Sequence, residues 1–203
     1  MKILRGRESR TLIGETLRQA FSPKTFCIFA ENKNMETKEA LLTRRSIRKY
    51  TGQEVNEIQI EEMLRAAMYA PSARNQQPWH FVVIRDKSIL KQIPLYHVNA
   101  GMIAGASLGI LVCADTGLEQ SVGYWIQDVA AATQNILLSA HGMGLGAVWL
   151  GIYPREERIM GTRDLLGIPE NVMPFSLISI GYPAESPAMP ERFLPERIHT
   201  NKW

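Results

Sequence analysis

Two short segments of this chain concentrate side chains able to hold a charged, ring-bearing ligand. The first is Arg44-Arg45-Ser46-Ile47-Arg48. Its three guanidiniums and one hydroxyl can hold a phosphate dianion, because arginine forms fork-shaped, charge-assisted bonds to phosphate oxygens. If the backbone there is extended, Arg44, Ser46 and Arg48 share one face at period two. Charge alone is equally satisfied by a solvated basic face. The second segment runs Pro71-Ser72-Ala73-Arg74-Asn75-Gln76-Gln77-Pro78-Trp79. Amides both donate and accept, so Asn75 and Gln77, held between prolines, suit a ring edge of alternating donors and acceptors such as an isoalloxazine pyrimidine edge. A locally bonded turn uses the same residues in another way.

A third segment, Gly142-Met143-Gly144-Leu145-Gly146-Ala147, matches the Gly-x-Gly-x-x-Ala dinucleotide fingerprint letter by letter. That fingerprint requires a strand before it and a helix after it. Here the helical pattern precedes and the strand pattern follows, so the glycines read as a helix end and a tight turn. His80, His97, His141 and His199 are scattered without metal-ligand spacing. There is no phosphate loop with Gly-Lys-Ser/Thr, so kinase and zinc readings lack their parts.

Charge and cysteine usage narrow the class further. Lys plus Arg number 23 against 20 Asp plus Glu, a net +3 that is too small to imply a nucleic-acid or membrane partner. At 203 residues, 45% of them hydrophobic, the chain can bury one well-formed core. Cys27 and Cys113 make no disulfide framework, and Cys113 sits in an apolar run as a core filler. A reducing, cytoplasmic setting fits, and no apolar stretch reaches membrane-spanning length. Residues 1–34 carry no signal-peptide pattern and read as a poorly ordered extension, leaving 35–203 as the working domain.

The elements that must position these residues alternate from residue 35 onward. Thr37 is placed to cap a short helix running to Arg44. Asn56 with Gln59 forms a variant capping box for a helix with Ile60, Met63, Leu64 and Ala67 at helical spacing, closed before Pro71. His80–Ile84 reads as a strand, Asp86 as the cap of a helix over 87–93, and Leu108–Ala114 as a buried strand. From Tyr124 to Ala140, Val129, Thr133, Ile136 and Ala140 share one face of a long, buried helix, and Ala130, Ala131 and Ala132 let a neighbour approach. Ala147–Leu150 is a third strand, 155–166 a helix closed by Gly167 and Pro169, and Phe175–Ile180 a fourth strand. Pro183, Pro187, Pro190 and Pro195 then describe an extended arm. Residues 95–125, with Tyr96, His97, Met102, Tyr124 and Trp125, are either a substrate lid or plain core packing.

Taken in order, these segments resemble the nitroreductase family of flavoproteins. The resemblance is carried by Arg44–Tyr50, Ala70–Trp79, Gly144–Gly151, Ile180–Pro183 and the closing Arg192…Glu196-Arg197-Ile198-His199…Trp203, and it covers residues 36–203. It implies an α+β, three-layer fold with a mixed four- to five-stranded sheet, and a homodimer in which the C-terminal arm is exchanged. It also implies FMN as cofactor, NADH or NADPH as donor, and ping-pong reduction of nitroaromatics, quinones or similar acceptors. By position, Arg44, Arg45, Ser46 and Arg48 would grip the phosphate, ribityl chain and pyrimidine edge. Pro71, Ser72, Asn75 and Gln77 would come from the partner subunit, Trp149, Leu150 and Gly151 would lie beside the ring, and Arg192 would close on the phosphate. Pro190 stands where many relatives carry a lysine, which brings Arg197 into consideration. No side chain is required as an acid or base. The same scaffold admits reductive dehalogenation or enoate-type reduction, and a non-enzymatic flavin-binding module uses the same grip.

Overall fold

The computed structural model describes residues 35–203, so the extension expected over 1–34, and Cys27 with it, lie outside the described residues. Helix α1 is Thr37–Thr43. Thr37 is already helical and Glu36 holds the cap position without a side-chain bond, which corrects the expected Thr37 cap. Helix α2, Glu57–Met68, opens on the expected capping box: the Asn56 side chain accepts from the Gln59 amide at 2.9 Å, and the Asn56 amide donates to the Gln59 side chain. Ile60, Met63 and Ala67 form its buried stripe. Strand β1 is Trp79–Ile84.

Asp86 caps α3, which covers only Lys87–Leu90, shorter than the 87–93 expected. Pro94 has no N–H to donate to the Leu90 carbonyl four residues back, and the chain continues as a 3-10 turn at Ile93–Leu95. Strand β2 is Leu108–Asp115, α4 is Trp125–Gly142, β3 is Gly146–Gly151, α5 is Glu156–Leu166 and β4 is Val172–Gly181. The arm that follows is exposed almost throughout.

The sheet order is β1-β2-β4-β3, and all three pairings are antiparallel. This corrects the expected mixed sheet: among the described residues the parallel pairing is an isolated bridge between Ser46 and Ala147, where a short extended segment runs along β3. Side chains alternate across the sheet, as strand geometry requires. Leu108, Ile110, Val112 and Ala114 join Met63, Ala67, Val129, Ile136 and Ala140 beneath α2 and α4. Leu111, Cys113, Val148, Leu150 and Leu177 face the other way, onto Leu90, Ile93 and Ile103. Helices thus cover both faces, giving three layers. The 18-residue α4 buries Val129, Thr133, Ile136 and Ala140 on one face, and Asn135 donates to the Ala66 carbonyl of α2.

The connection from α4 to β3 decides what the sheet edge can carry. Gly144 turns with φ 75°, a conformation costly for other residues, and the Leu145 amide returns to the Ala140 carbonyl. Gly146 then presents no side chain to the incoming segment. A Cβ there would lie 2.6 Å from Ile47 Cγ2 and 2.8 Å from Ile47 Cβ. The absence of that carbon lets Ile47 bury itself against the start of β3, its amide donating to the Ala147 carbonyl at 3.0 Å. Tyr50 completes the junction by donating its hydroxyl to the Ile47 carbonyl. Gly146→Ala is expected to lower stability by about 1–3 kcal/mol, the usual range for overpacking, as read from urea unfolding. A wild-type midpoint in that variant would show that Ile47 is not held as described.

Candidate functional site

Arg44 ends α1 and Arg45 follows it into the extended segment. Arg45 donates to the Leu42 and Arg44 carbonyls at 3.0 and 2.6 Å, while its Nε is buried with no hydrogen-bond partner among the described residues. Burial, then the guanidiniums of Arg192 and Arg45, push Arg44 below the ordinary arginine value. The arm therefore brings Arg192 within electrostatic reach of the segment. His141 belongs to the same neighbourhood. The Thr43 hydroxyl spends its proton on the Glu39 carbonyl, so His141 Nε2–H must be the donor in the 2.8 Å bond to Thr43 Oγ1. Burial, Arg44 and Arg45 hold His141 below the usual histidine value. Among the described residues, no carboxylate forms an ion pair with Arg44, Arg45 or Arg192. Like charges gathered without a counter-ion favour the binding of an anion among them.

An open cleft of about 440 Å³ lies beside this segment, at the far end of β3. It is lined by Arg48, Val148, Trp149, Leu150 and Gly151, together with His97, Asn99 and Arg158. The Gly151 carbonyl is bonded twice, to His97 Nε2 at 3.1 Å and Arg158 Nη1 at 2.8 Å. A carbonyl only accepts, so Nε2 carries the histidine proton. Burial and the Arg158 charge keep His97 below its ordinary value. The two bonds anchor the strand end from the loop before β2 and from α5. Trp149 meets Phe175 edge-on at 5.8 Å between ring centres.

The amide loop has a different organisation. Gln76, not Asn75 or Gln77, is buried, and its amide donates to Asp128 Oδ2 at 2.6 Å. Asp128 Oδ1 accepts from the Ala73 amide, and Gln76 Oε1 accepts from the Gln120 and Ser121 amides. Around that anchor Arg74, Asn75 and Gln77 take positive φ of 50°, 55° and 45°, a strained arrangement of the kind found at ligand sites. Asn75 and Gln77 are exposed, the Gln77 amide donating to Asn75 Oδ1, and Ser72 Oγ accepts from the Gln77 amide N–H.

Of the residues expected from the sequence, Arg48, Trp149, Leu150 and Gly151 meet in the cleft, and Arg44, Arg45 and Arg192 meet in the cationic cluster. Ser46 links the two through its bridge to Ala147. Pro71, Ser72, Asn75 and Gln77 line neither. Sequence reasoning missed Gln76, Asp128 and Arg158. Asp128 had a legible signal, since it lies one residue before Val129 in the buried stripe of α4. Of the lid candidates, Trp125 is core, packed against Tyr153 and Phe175, whereas Tyr124 is exposed and His97 lines the cleft.

Comparison with known proteins identifies the family and the fold. The nitroreductase family matches residues 41–97 and 95–182. A Methanothermobacter thermautotrophicus protein, provisionally named NADH dehydrogenase/NAD(P)H nitroreductase, is 52% identical over 169 residues, spanning 83% of this chain and 88% of its own. A crystal structure from Clostridium acetobutylicum, provisionally named NADH oxidase, superposes with a TM-score of 0.78 at 42% identity, over 81% of this chain and 99% of its own. A provisionally named nitroreductase of Desulfovibrio desulfuricans, solved in complex with FMN, gives 0.72 at 32% identity, over 86% and 99%. The fold is that of the nitroreductases. The chain belongs to the nitroreductase family of oxidoreductases.

His97 and His141 make a pH prediction. Both sit below the ordinary value of 6.5, so the unfolded chain takes up protons more readily than the folded one. Their contribution is complete above that value and lost as pH falls through the lower folded values. The melting temperature should fall on acidification below pH 6.5, and His97→Gln, which keeps a donor for Gly151, should show a shallower fall. Parallel wild-type and variant curves in scanning fluorimetry would remove His97 from this account.

Proposed function

We propose that residues 35–203 form an FMN-dependent oxidoreductase that uses NADH or NADPH to reduce nitroaromatic, quinone or similar acceptors in ping-pong, two-electron steps. The observation that carries this reading is the convergence of Arg44, Arg45 and Arg192 beside a cleft at the end of β3. The buried, unpartnered Nε of Arg45 fits a phosphate oxygen, and the uncompensated positive charge fits a dianion. Arg44, Arg45 and Arg192 hold the phosphate, Ser46 the adjoining chain, and Arg48 the electron-rich edge of the ring. Trp149, Leu150 and Gly151 form the wall against which the ring rests, kept in place by the two bonds on the Gly151 carbonyl. When bound, the flavin supplies the chemistry, taking hydride from the nicotinamide and passing two electrons to the acceptor. A fixed guanidinium at Arg48 favours electron gain nearby, because its charge is in place before reaction.

The cytoplasmic homodimer follows from the same reading. Pro71, Ser72, Asn75 and Gln77 complete the partner's site from their strained, exposed loop. Leu41 and Leu42 on α1, and Phe193, Ile198 and Trp203 on the arm, are exposed to an extent that fits burial by a second copy. Arg197 takes up part of the grip that Pro190 does not provide. No described helix is long and apolar enough to cross a membrane.

Purified protein should be yellow, with the two visible bands of an oxidised flavin, and should be a dimer by light scattering. Arg44→Ala with Arg48→Ala should give folded, colourless protein; normal FMN content in that variant would sink the phosphate grip. NADH or NADPH oxidation should proceed with menadione or nitrofurazone, and bound flavin without turnover would instead identify a binding module.

A further inference from the structure

The cleft holds one charged group that the cofactor reading uses only in part, through a single bond to the Gly151 carbonyl. Among the described residues, Arg48 and Arg158 are the charged side chains lining it, and no carboxylate lines it. Among the described residues neither arginine forms an ion pair. The carboxylate of Glu185 is engaged by the Arg48 and Lys49 backbone amides, so it is directed at the main chain. His97 is held below its ordinary value by burial and by Arg158 and spends its Nε2–H on the Gly151 carbonyl. Arg158 is half-buried and pinned through Nη1 to the Gly151 carbonyl, which fixes the guanidinium plane at the strand end and leaves its other donors for a ligand. Asn99 adds an amide on the same wall. A guanidinium already held in place loses little freedom on binding, and its fork matches a carboxylate.

We propose that Arg158 selects electron acceptors bearing a carboxylate, with Asn99 as a second donor to the same group. The inference rests on the flavoenzyme reading, in which Arg48 serves the ring and Arg158 remains for the acceptor. It predicts discrimination by charge between acceptors of otherwise equal chemistry.

The test compares 4-nitrobenzoate with its methyl ester in the FMN-loaded enzyme and its Arg158→Gln and Arg158→Lys variants. The ratio of kcat/KM for the acid to that for the ester should fall about tenfold or more in Arg158→Gln, the loss expected of one charge-assisted bond. Arg158→Lys, which keeps the charge but not the fork, should recover only part of it, and added salt should lower the wild-type ratio. Calorimetry with benzoate alone should show binding to wild-type holoprotein and weaker binding to Arg158→Gln. An unchanged ratio, or benzoate affinity indifferent to the variant, overturns the proposal. Loss of FMN from Arg158→Gln also overturns it, by assigning Arg158 to the cofactor. Wild-type protein that binds no flavin would overturn the reading beneath it, a result distinct from both.

Discussion

The contact between Ile47 and the bare backbone of Gly146 is the constraint on which the site depends. The segment from Arg44 to Tyr50 is neither a full strand nor part of a helix, and it has one bridge to hold it beside β3. Without a Cβ at Gly146, Ile47 sinks into the sheet edge. Ser46 and Arg48, on the opposite side of the same backbone, are then turned outward along that edge. The spacing of the ligand-holding groups is therefore set by a packing contact that touches no ligand.

Two kinds of restraint meet at that edge. The first is electrostatic: guanidiniums from the segment and from the arm lie within reach of one another with no ion-paired carboxylate among the described residues, which favours an anion there. The second is geometric: the end of β3 is clamped by donors on its last carbonyl, from His97 on one side and Arg158 on the other. In the proposed reading, the first would hold a flavin's phosphate and the second would give its ring a rigid wall.

The amide loop shows how buried polar groups do structural work for exposed ones. Gln76 and Asp128 satisfy one another and three backbone amides around the turn. That network holds Arg74, Asn75 and Gln77 in left-handed conformations that the local sequence alone would not maintain. The exposed amides are presented by a scaffold whose members read, one by one, as ordinary loop and helix residues.

Helix and strand order was legible from periodicity, because buried faces recur at 3.6 or 2 residues and the four strands are each apolar enough to stand out. The capping box at Asn56 and Gln59, the rejected Rossmann reading of Gly142–Gly146 and the grouping of Arg44 to Arg48 were equally local. What stayed hidden depended on contacts between distant residues. Thr37 and Glu36 are both acceptable at a cap, and which one occupies it depends on where the backbone turns. His97 and Arg158 are far apart in the chain and acquire meaning only when both reach the Gly151 carbonyl. The sequence by itself determined the elements, their order and the chemical types available to hold a phosphate and a ring. Only the tertiary structure decided which arginines converge, which amide is buried and which carbonyl is clamped, since each of these is set by pairing across the sheet edge that no local pattern encodes.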